Sequence, residues 1–245
     1  FEVIRLMPDK QGRITEQQVF DAVNSDTTLV SMMYVNNEVG SIMPVKSIKK
    51  AVKRANAPAL IHIDCVQAFG KLEVKPSKLG ADLVTVTAHK IHGPKGVGAL
   101  YLKKGTRILP RVFGGEQEKK LRPGTEAIPL IAGFGVAADL IPDLKKQSEK
   151  IKEINTYARE GLLTVPGVKI NSGDDASDYI INLFVPTFMT SQTVVQHLSS
   201  KYGVYVSNGS ACAKGKRSHV LTAMKLDDKI IEKSIRVSFS RTTTK

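Results

Sequence analysis

Two side chains in the middle of the sequence have the types and setting to bind a carbonyl-bearing ligand. Lys90 stands in Thr87-Ala88-His89-Lys90-Ile91-His92-Gly93-Pro94-Lys95-Gly96, where a β-rich run gives way to a glycine-containing turn. In open α/β sheets ligands collect at the carboxyl ends of strands. A lysine held there partly neutral by burial and neighbouring charge can condense with an aldehyde as a Schiff base. Most lysines beside glycines are plain surface residues, so Lys90 alone is a weak signal. Asp64 strengthens it. Strand alternation puts Leu60, His62 and Asp64 on one face and Ile61, Ile63 and Cys65 on the other. Asp64 then ends its strand where an acid can pair with a pyridinium nitrogen and keep that ring an electron sink. A lone aspartate otherwise caps a turn. Gln67, three residues on, adds a neutral donor within reach of a ring oxygen.

A third group suggests what such a site would do. Ser207-Asn208-Gly209-Ser210-Ala211-Cys212-Ala213-Lys214-Gly215-Lys216 surrounds one cysteine with small residues, and basic residues continue to Arg217. Small residues let a segment move, and nearby cations favour the thiolate, the nucleophilic form of the thiol. A single thiol is usually buried packing; the polar, glycine-rich setting argues against that here. Cys65, facing away from Asp64, reads as packing. Arg236 shares a strand face with Ser238 and Ser240, and its guanidinium fork matches a carboxylate with two parallel hydrogen bonds. A surface salt bridge is the ordinary alternative.

The elements that must position these groups alternate between strand and helix. Residues 1–7, 29–35, 60–64, 83–87 and 97–102 read as strands, and 15–24 and 44–56 as helices, the second opened by a proline. Right-handed crossovers would make this sheet largely parallel, with helices on its faces. A mostly helical stretch over 127–163, interrupted at Pro142, has the length of a connection between domains. A smaller α+β unit follows, with strands at 168–171, 179–185, 204–207 and 235–240 and helices near 191–201 and 219–225. The expected domains are therefore a cofactor-binding α/β part over 1–126, a connecting helix over 127–165 and a small C-terminal α+β domain over 166–245.

With 245 residues, 42% of them hydrophobic, a substantial core is within reach. No apolar run approaches the roughly 20 residues of a membrane span, and no signal sequence opens the chain, so a cytoplasmic location is the expectation. Two distant cysteines do not make a disulfide framework. The net charge of +13 is spread over helical surfaces without an aromatic-basic cluster, and no direct nucleic-acid contact is expected. The groups at 46–54 and 214–217 are the local exceptions. Phe1 starts inside an expected strand without a methionine, and Lys245 closes a polar stretch, so both ends read as cut.

Val35-Asn36-Asn37-Glu38-Val39-Gly40, His62-Ile63-Asp64-Cys65-Val66-Gln67 and Ala88-His89-Lys90 with Gly93-Pro94-Lys95-Gly96 resemble, in order, the successive blocks of cysteine desulfurases, which belong to the fold-type I pyridoxal-phosphate enzymes. The resemblance runs over nearly the whole chain. It implies pyridoxal 5′-phosphate as cofactor, Lys90 as the Schiff-base lysine, Asp64 as the pyridinium partner, Gln67 and Asn37 near the ring hydroxyl, and Thr87 and His89 on the phosphate. Lys95 is the rival lysine on chemistry alone. Arg122-Pro123-Gly124-Thr125 is similar to the segment whose threonine reaches the phosphate held mainly by a neighbouring subunit, so a homodimer is implied. The Cys212 segment looks like the family's catalytic loop, in which the thiol takes sulfur from L-cysteine and alanine leaves. Arg236, with Asn37, is assigned to the substrate carboxylate. The sulfur acceptor would be an iron–sulfur scaffold or a tRNA thiolation enzyme. Residues 213–218 are shorter and more basic than in many members, which puts the loop's reach and its acceptor in question.

Family members also carry, upstream of these blocks, a phosphate-binding turn and a histidine that stacks on the ring. No residue here matches them, and this chain alone is expected to bind cofactor poorly and turn over little. A selenocysteine lyase or another class V aminotransferase-like enzyme is the alternative within enzymes, separated by the need for Cys212. A non-catalytic basic binding module is the alternative of another class.

Overall fold

A computed structural model describes residues 1–209 and 217–245. Cys212, and with it the nucleophile expected from the sequence, lies outside the described residues. The fold is an α/β arrangement, with a mainly parallel sheet and a smaller antiparallel one.

The first sheet has the order β1 (Leu29–Met33), β2 (Leu60–Asp64), β3 (Leu83–Thr87) and β4 (Gly98–Leu102). The first three are parallel, and β4 returns antiparallel to β3. Parallel neighbours need crossovers, and the helix α2 (Val45–Arg54) supplies the one between β1 and β2. Val45, Ile48 and Ala51 fall on one side of α2 and are buried, while Lys46, Lys49, Lys50 and Lys53 share the other faces. Much of the charge read from composition is this solvated surface. Ahead of it, α1 (Glu16–Ala22) is fixed by a capping box, with the Gln18 N–H donating to Thr15 Oγ1 at 3.1 Å and the Thr15 N–H to Gln18 Oε1 at 2.8 Å. Ile61 and Ile63 from β2, Val84 from β3, Val19, Ile48 and Leu79 close the core beneath the sheet. A short helix, α3 (Pro76–Leu79), ends at the left-handed Gly80 and was not visible in the sequence pattern.

The connection between the two sheets is two helices, α4 (Ile128–Asp139) and α5 (Leu144–Leu163). The break falls at residues 140–143, where Pro142 can neither donate nor continue the turn, and Asp143 restarts the helix by accepting from the Lys146 N–H. The second sheet, β5 (Lys169–Ile170), β6 (Ile180–Phe184) and β7 (Ser234–Ser238), is antiparallel throughout. Ile181, Leu183 and Ile235 pack there against Val194 of α6 (Ser191–Tyr202). Two short helices, α7 (His219–Ala223) and α8 (Asp228–Glu232), follow.

Two expected strands do not form. Residues 1–7 have no regular structure, and Phe1, Val3 and Ile4 are exposed; an alternation of apolar and polar residues specifies a strand only where a pairing edge meets it. Residues 204–207 make a single bridge, Ser207 to Arg236, because Asn208 and Gly209 turn the chain away at once. Arg236 consequently lies mid-strand in β7 rather than at its start.

The two sheets are joined at the loop 36–40. Asn36 Oδ1 accepts from the Glu38 and Val39 N–H groups at 2.8 and 3.0 Å, folding the loop on itself. From the second unit, the Ser177 N–H donates to the Gly40 carbonyl at 2.8 Å, Asn182 Nδ2 to the Glu38 carbonyl at 3.3 Å, and Arg236 Nη1 to the Asn37 carbonyl at 2.8 Å. The Glu38 side chain has no exposed surface, and its Oε2 accepts from Ser218 Oγ at 2.5 Å. Gly40 has φ +78°, and an added Cβ would lie 3.2 Å from Ile180 Cβ. Removing the Glu38 carboxyl strands the buried Ser218 hydroxyl and opens a hole at the join. Glu38→Ala is therefore expected to lower the unfolding free energy by about 2–3 kcal/mol, with Glu38→Gln costing less, measured by urea denaturation.

Candidate active site

The site is assembled from the ends of β2, β3 and β7. At the end of β2, Asp64 Oδ1 accepts the Val66 N–H at 2.9 Å and bends the chain into a compact turn. Phe69 N–H to Cys65 carbonyl and Leu72 N–H to Ala68 carbonyl, both 2.8 Å, hold that turn in helical spacing. Gln67 and Lys71, four residues apart, consequently share one side of it. Lys71 Nζ donates to Gln67 Oε1 at 3.1 Å.

Past the end of β3, residues Ala88–Lys90 form a 3-10 turn that aims Lys90 across the sheet edge. The Ile91 and Gly93 N–H groups both donate to the Ala88 carbonyl, at 3.0 and 2.9 Å. The turn is pressed onto α4: a Cβ on Gly93 would stand 3.0 Å from Ala88 Cβ and 3.1 Å from Ala137 Cβ, so only glycine fits without displacement. Thr87 Oγ1 meets His89 Nδ1 at 2.9 Å. From the second unit, β7 contributes Arg236 and Ser238 on the shared face expected from alternation.

Together these elements enclose a cavity of about 190 Å³, with Gln67, Lys71, Lys90, Tyr179, Arg236 and Arg241 on its wall. Among the described residues, no aspartate or glutamate lines it. Burial, then the charges of Lys90 and Arg236, pull Lys71 down to about 8. Burial lowers Arg236, against the pull of Glu38. His89 and His92 are both lowered, first by burial and then by neighbouring cations. Arg236 Nε and Gln147 Oε1 are buried with no hydrogen-bond partner among the described residues.

Of the residues expected from the sequence, Gln67, His89, Lys90 and Arg236 meet in this cavity. Asp64 and Thr87 stand at the strand ends beside it, and Asn37 reaches it through its carbonyl bond to Arg236. Thr125 is exposed and away from the cavity wall, and so is the rival Lys95. Cys65 is fully buried, and burial followed by Asp64 pushes its thiol up to about 12, as a packing residue should behave. Sequence reasoning missed Lys71, Tyr179 and Gln147. The four-residue spacing from Gln67 could have found Lys71; the other two arrive from distant elements and leave no local signal.

The whole chain, residues 1–245, matches the family model described as aminotransferase class-V. The chain belongs to the class-V aminotransferase family. Within that family it is similar to cysteine desulfurases. It is 37% identical over its full length to the cysteine desulfurase IscS of Methanosarcina thermophila, of which it covers 60%. A solved NifS-like protein superposes with a TM-score of 0.90 at 34% identity, covering 100% of this chain and 64% of the other. A structure described as SspA in complex with cysteine gives 0.79 at 32% identity, covering 97% and 66%. The chain thus spans less than two thirds of the length of these relatives.

The wall suits the cofactor of that family. A cavity whose wall carries Lys71, Lys90, Arg236 and Arg241, with no acid on it among the described residues, suits an anion, and two lysines line the same space. Lys90 and Lys71 are the amines available to an aldehyde, Gln67 a contact for a ring oxygen, and Asp64 an acid at the strand end.

Two outcomes follow from the burial of these groups. Folded Lys71 loses its proton near pH 8, whereas the unfolded chain keeps it up to about 10.5. The unfolded state binds more protons between those values, so stability rises as pH climbs from about 8 toward 10.5. Lys71→Met should flatten that part of the profile of denaturation midpoint against pH. In a Cys212→Ser variant, where Cys65 is the sole thiol, Ellman's reagent should react at neutral pH only after guanidinium is added; prompt native-state reaction would contradict the buried, protonated thiol.

Proposed function

We propose that this chain supplies the cofactor lysine and the substrate-carboxylate site of a pyridoxal-phosphate-dependent cysteine desulfurase, acting within a polypeptide of the length of its relatives and as a homodimer. The observation that carries the reading is the cationic cavity lined together by Lys90, Gln67 and Arg236, beside the strand end that bears Asp64. Pyridoxal 5′-phosphate, when bound, supplies an aldehyde for a lysine amine and an electron-withdrawing ring.

Each residue then has one task. Lys90 would hold the cofactor and exchange protons through its amine. Asp64 faces the ring nitrogen, Gln67 and Asn37 the ring oxygen, and Thr87 and His89 the phosphate. The Arg236 fork, already anchored by Nη1 on the Asn37 carbonyl, grips the carboxylate of L-cysteine. Exposure of Thr125 fits a phosphate contact made toward the partner subunit rather than within its own. Cys212, on the Ser207 to Lys216 segment, attacks the substrate sulfur. The sulfur–carbon bond of cysteine breaks, a sulfur–sulfur bond forms, and the substrate carbon takes a proton to become alanine. The Cys212 thiol is oxidised to a persulfide as that carbon is reduced, so no outside oxidant is needed. The persulfide is then passed to an iron–sulfur scaffold or a thiolation enzyme in the cytoplasm.

The decisive experiment uses the longest natural polypeptide containing this chain, incubated with pyridoxal 5′-phosphate and L-cysteine. With dithiothreitol present to reduce the persulfide and release its sulfur, alanine and sulfide should form in equal amounts, with a visible absorbance band that Lys90→Ala removes. Cys212→Ala should keep the band and lose more than about a hundredfold of the sulfide, as expected when a covalent nucleophile is removed. Undiminished turnover in Cys212→Ala would point instead to a lyase without a protein-bound sulfur. An unchanged band in Lys90→Ala would remove the cofactor assignment itself.

A further inference from the structure

Lys71 is a half-buried amine on the cavity wall to which the reading above gives no task. Its surroundings are specific. The Nζ atom donates to Gln67 Oε1 at 3.1 Å and sits 5.2 Å from the centre of the Tyr179 ring. Tyr179 is itself held from behind, because Gln147 Nε2 donates both to its hydroxyl and to the Gly70 carbonyl, the latter at 3.1 Å. Gln67, Gln147 and Tyr179 are all at least nine-tenths buried. The ammonium thus rests against an aromatic face on one side and a side-chain amide on the other, with little freedom to leave either.

A glutamine amide has two unlike ends, an acceptor oxygen and an NH2 donor, and nothing in its own shape decides which faces a ligand. An ammonium has donors and no acceptor. While it is protonated, below about pH 8, Lys71 can satisfy Gln67 only through Oε1, which turns Nε2 to the opposite side. Reversing the amide would set donor against donor. We propose that Lys71 is a positioning residue for Gln67: it fixes the amide so that its N–H groups, and not its oxygen, face the bound cofactor and select a hydrogen-bond acceptor there. The inference rests on the reading of this cavity as a pyridoxal-phosphate site, in which Gln67 meets the ring oxygen.

The role differs from a direct ionic contact between Lys71 and the ligand, and a double-mutant cycle separates them. Dissociation constants for pyridoxal 5′-phosphate are measured by fluorescence quenching in the same longest polypeptide, for Lys71→Met, Gln67→Ala and the double variant. Lys71→Met should weaken binding about three- to tenfold, the worth of one hydrogen bond, and should add nothing once Gln67 is alanine. The analogue lacking the ring hydroxyl, 3-deoxypyridoxal 5′-phosphate, should bind wild type and Lys71→Met alike. Equal loss of affinity in the Gln67→Ala background, equal loss for the deoxy analogue, or no loss at all would each overturn the role.

Should Lys71→Met fail to fold, Lys71→Gln carries the test, since its amide offers an acceptor as well as a donor and so no longer dictates which end of Gln67 faces the ligand. Positioning predicts a loss of affinity for pyridoxal 5′-phosphate that the 3-deoxy analogue does not show, and an ionic contact predicts the same loss for both. Failure of the underlying reading looks different: borohydride reduction would then leave no pyridoxyl label on Lys90 of the wild-type protein, whatever the Lys71 variants do.

Discussion

One buried carboxyl governs how the two halves of this molecule meet. Glu38 has no exposed surface, takes the Ser218 hydroxyl on one oxygen, and leaves the other without a hydrogen bond among the described residues. A group of this kind is costly to bury and tolerable only where its neighbours hold it firmly. The neighbours here are the backbone of the loop 36–40 and the side chains that reach it from the second sheet, so the polar join fixes one relative placement of the two sheets. Apolar packing of Val39 against Val220, Leu221, Met224 and Ile231 adds contact area around it but little direction. Polar geometry sets the register, and apolar burial makes it stable.

That join determines the chemistry of the cavity. Arg236 belongs to the second sheet, Lys90 and Lys71 to the first, and they converge only because the Asn37 carbonyl receives the guanidinium. Burial is the first cause of the lowered proton affinities of Lys71, Arg236 and the two histidines, and neighbouring cations add to it for Lys71, His89 and His92. A wall of this sign favours an anionic ligand.

Much of the first sheet was legible in the residues. Strands at 60–64 and 83–87 agree to the residue, because alternation, β-branched content and flanking turn signals point the same way there. The amphipathic α2 and the Pro142 break were equally plain. What failed were short apolar runs that find no pairing edge: 1–7 pairs with nothing among the described residues, and 204–207 touches β7 at one residue only. The antiparallel return of β4 carries no sign in its own composition. For the site, residues that end strands were readable since position along a strand implies an outlook on the ligand. Tyr179 and Gln147 were not, being brought in by tertiary placement. Lys71 was within reach of a helical count from Gln67, but its turn spans too few residues to announce a helix.

On the face of the parallel sheet that also carries Asp64, His62 lies between two hydroxyls, with Nδ1 2.8 Å from Ser31 Oγ and Nε2 2.7 Å from Thr85 Oγ1. Each hydroxyl can rotate to give or take a proton, so the pair suits either tautomer of the ring. Three strands are thereby stitched through side chains as well as through backbone, at a spot where Asp64 is only two residues away. A slip of β2 by a single position would swing the imidazole into the aliphatic underside and carry Asp64 off the ligand's side of the sheet. The stitch therefore works as an alignment pin, coupling strand order on that surface to the aim of an acid at the end of the same strand.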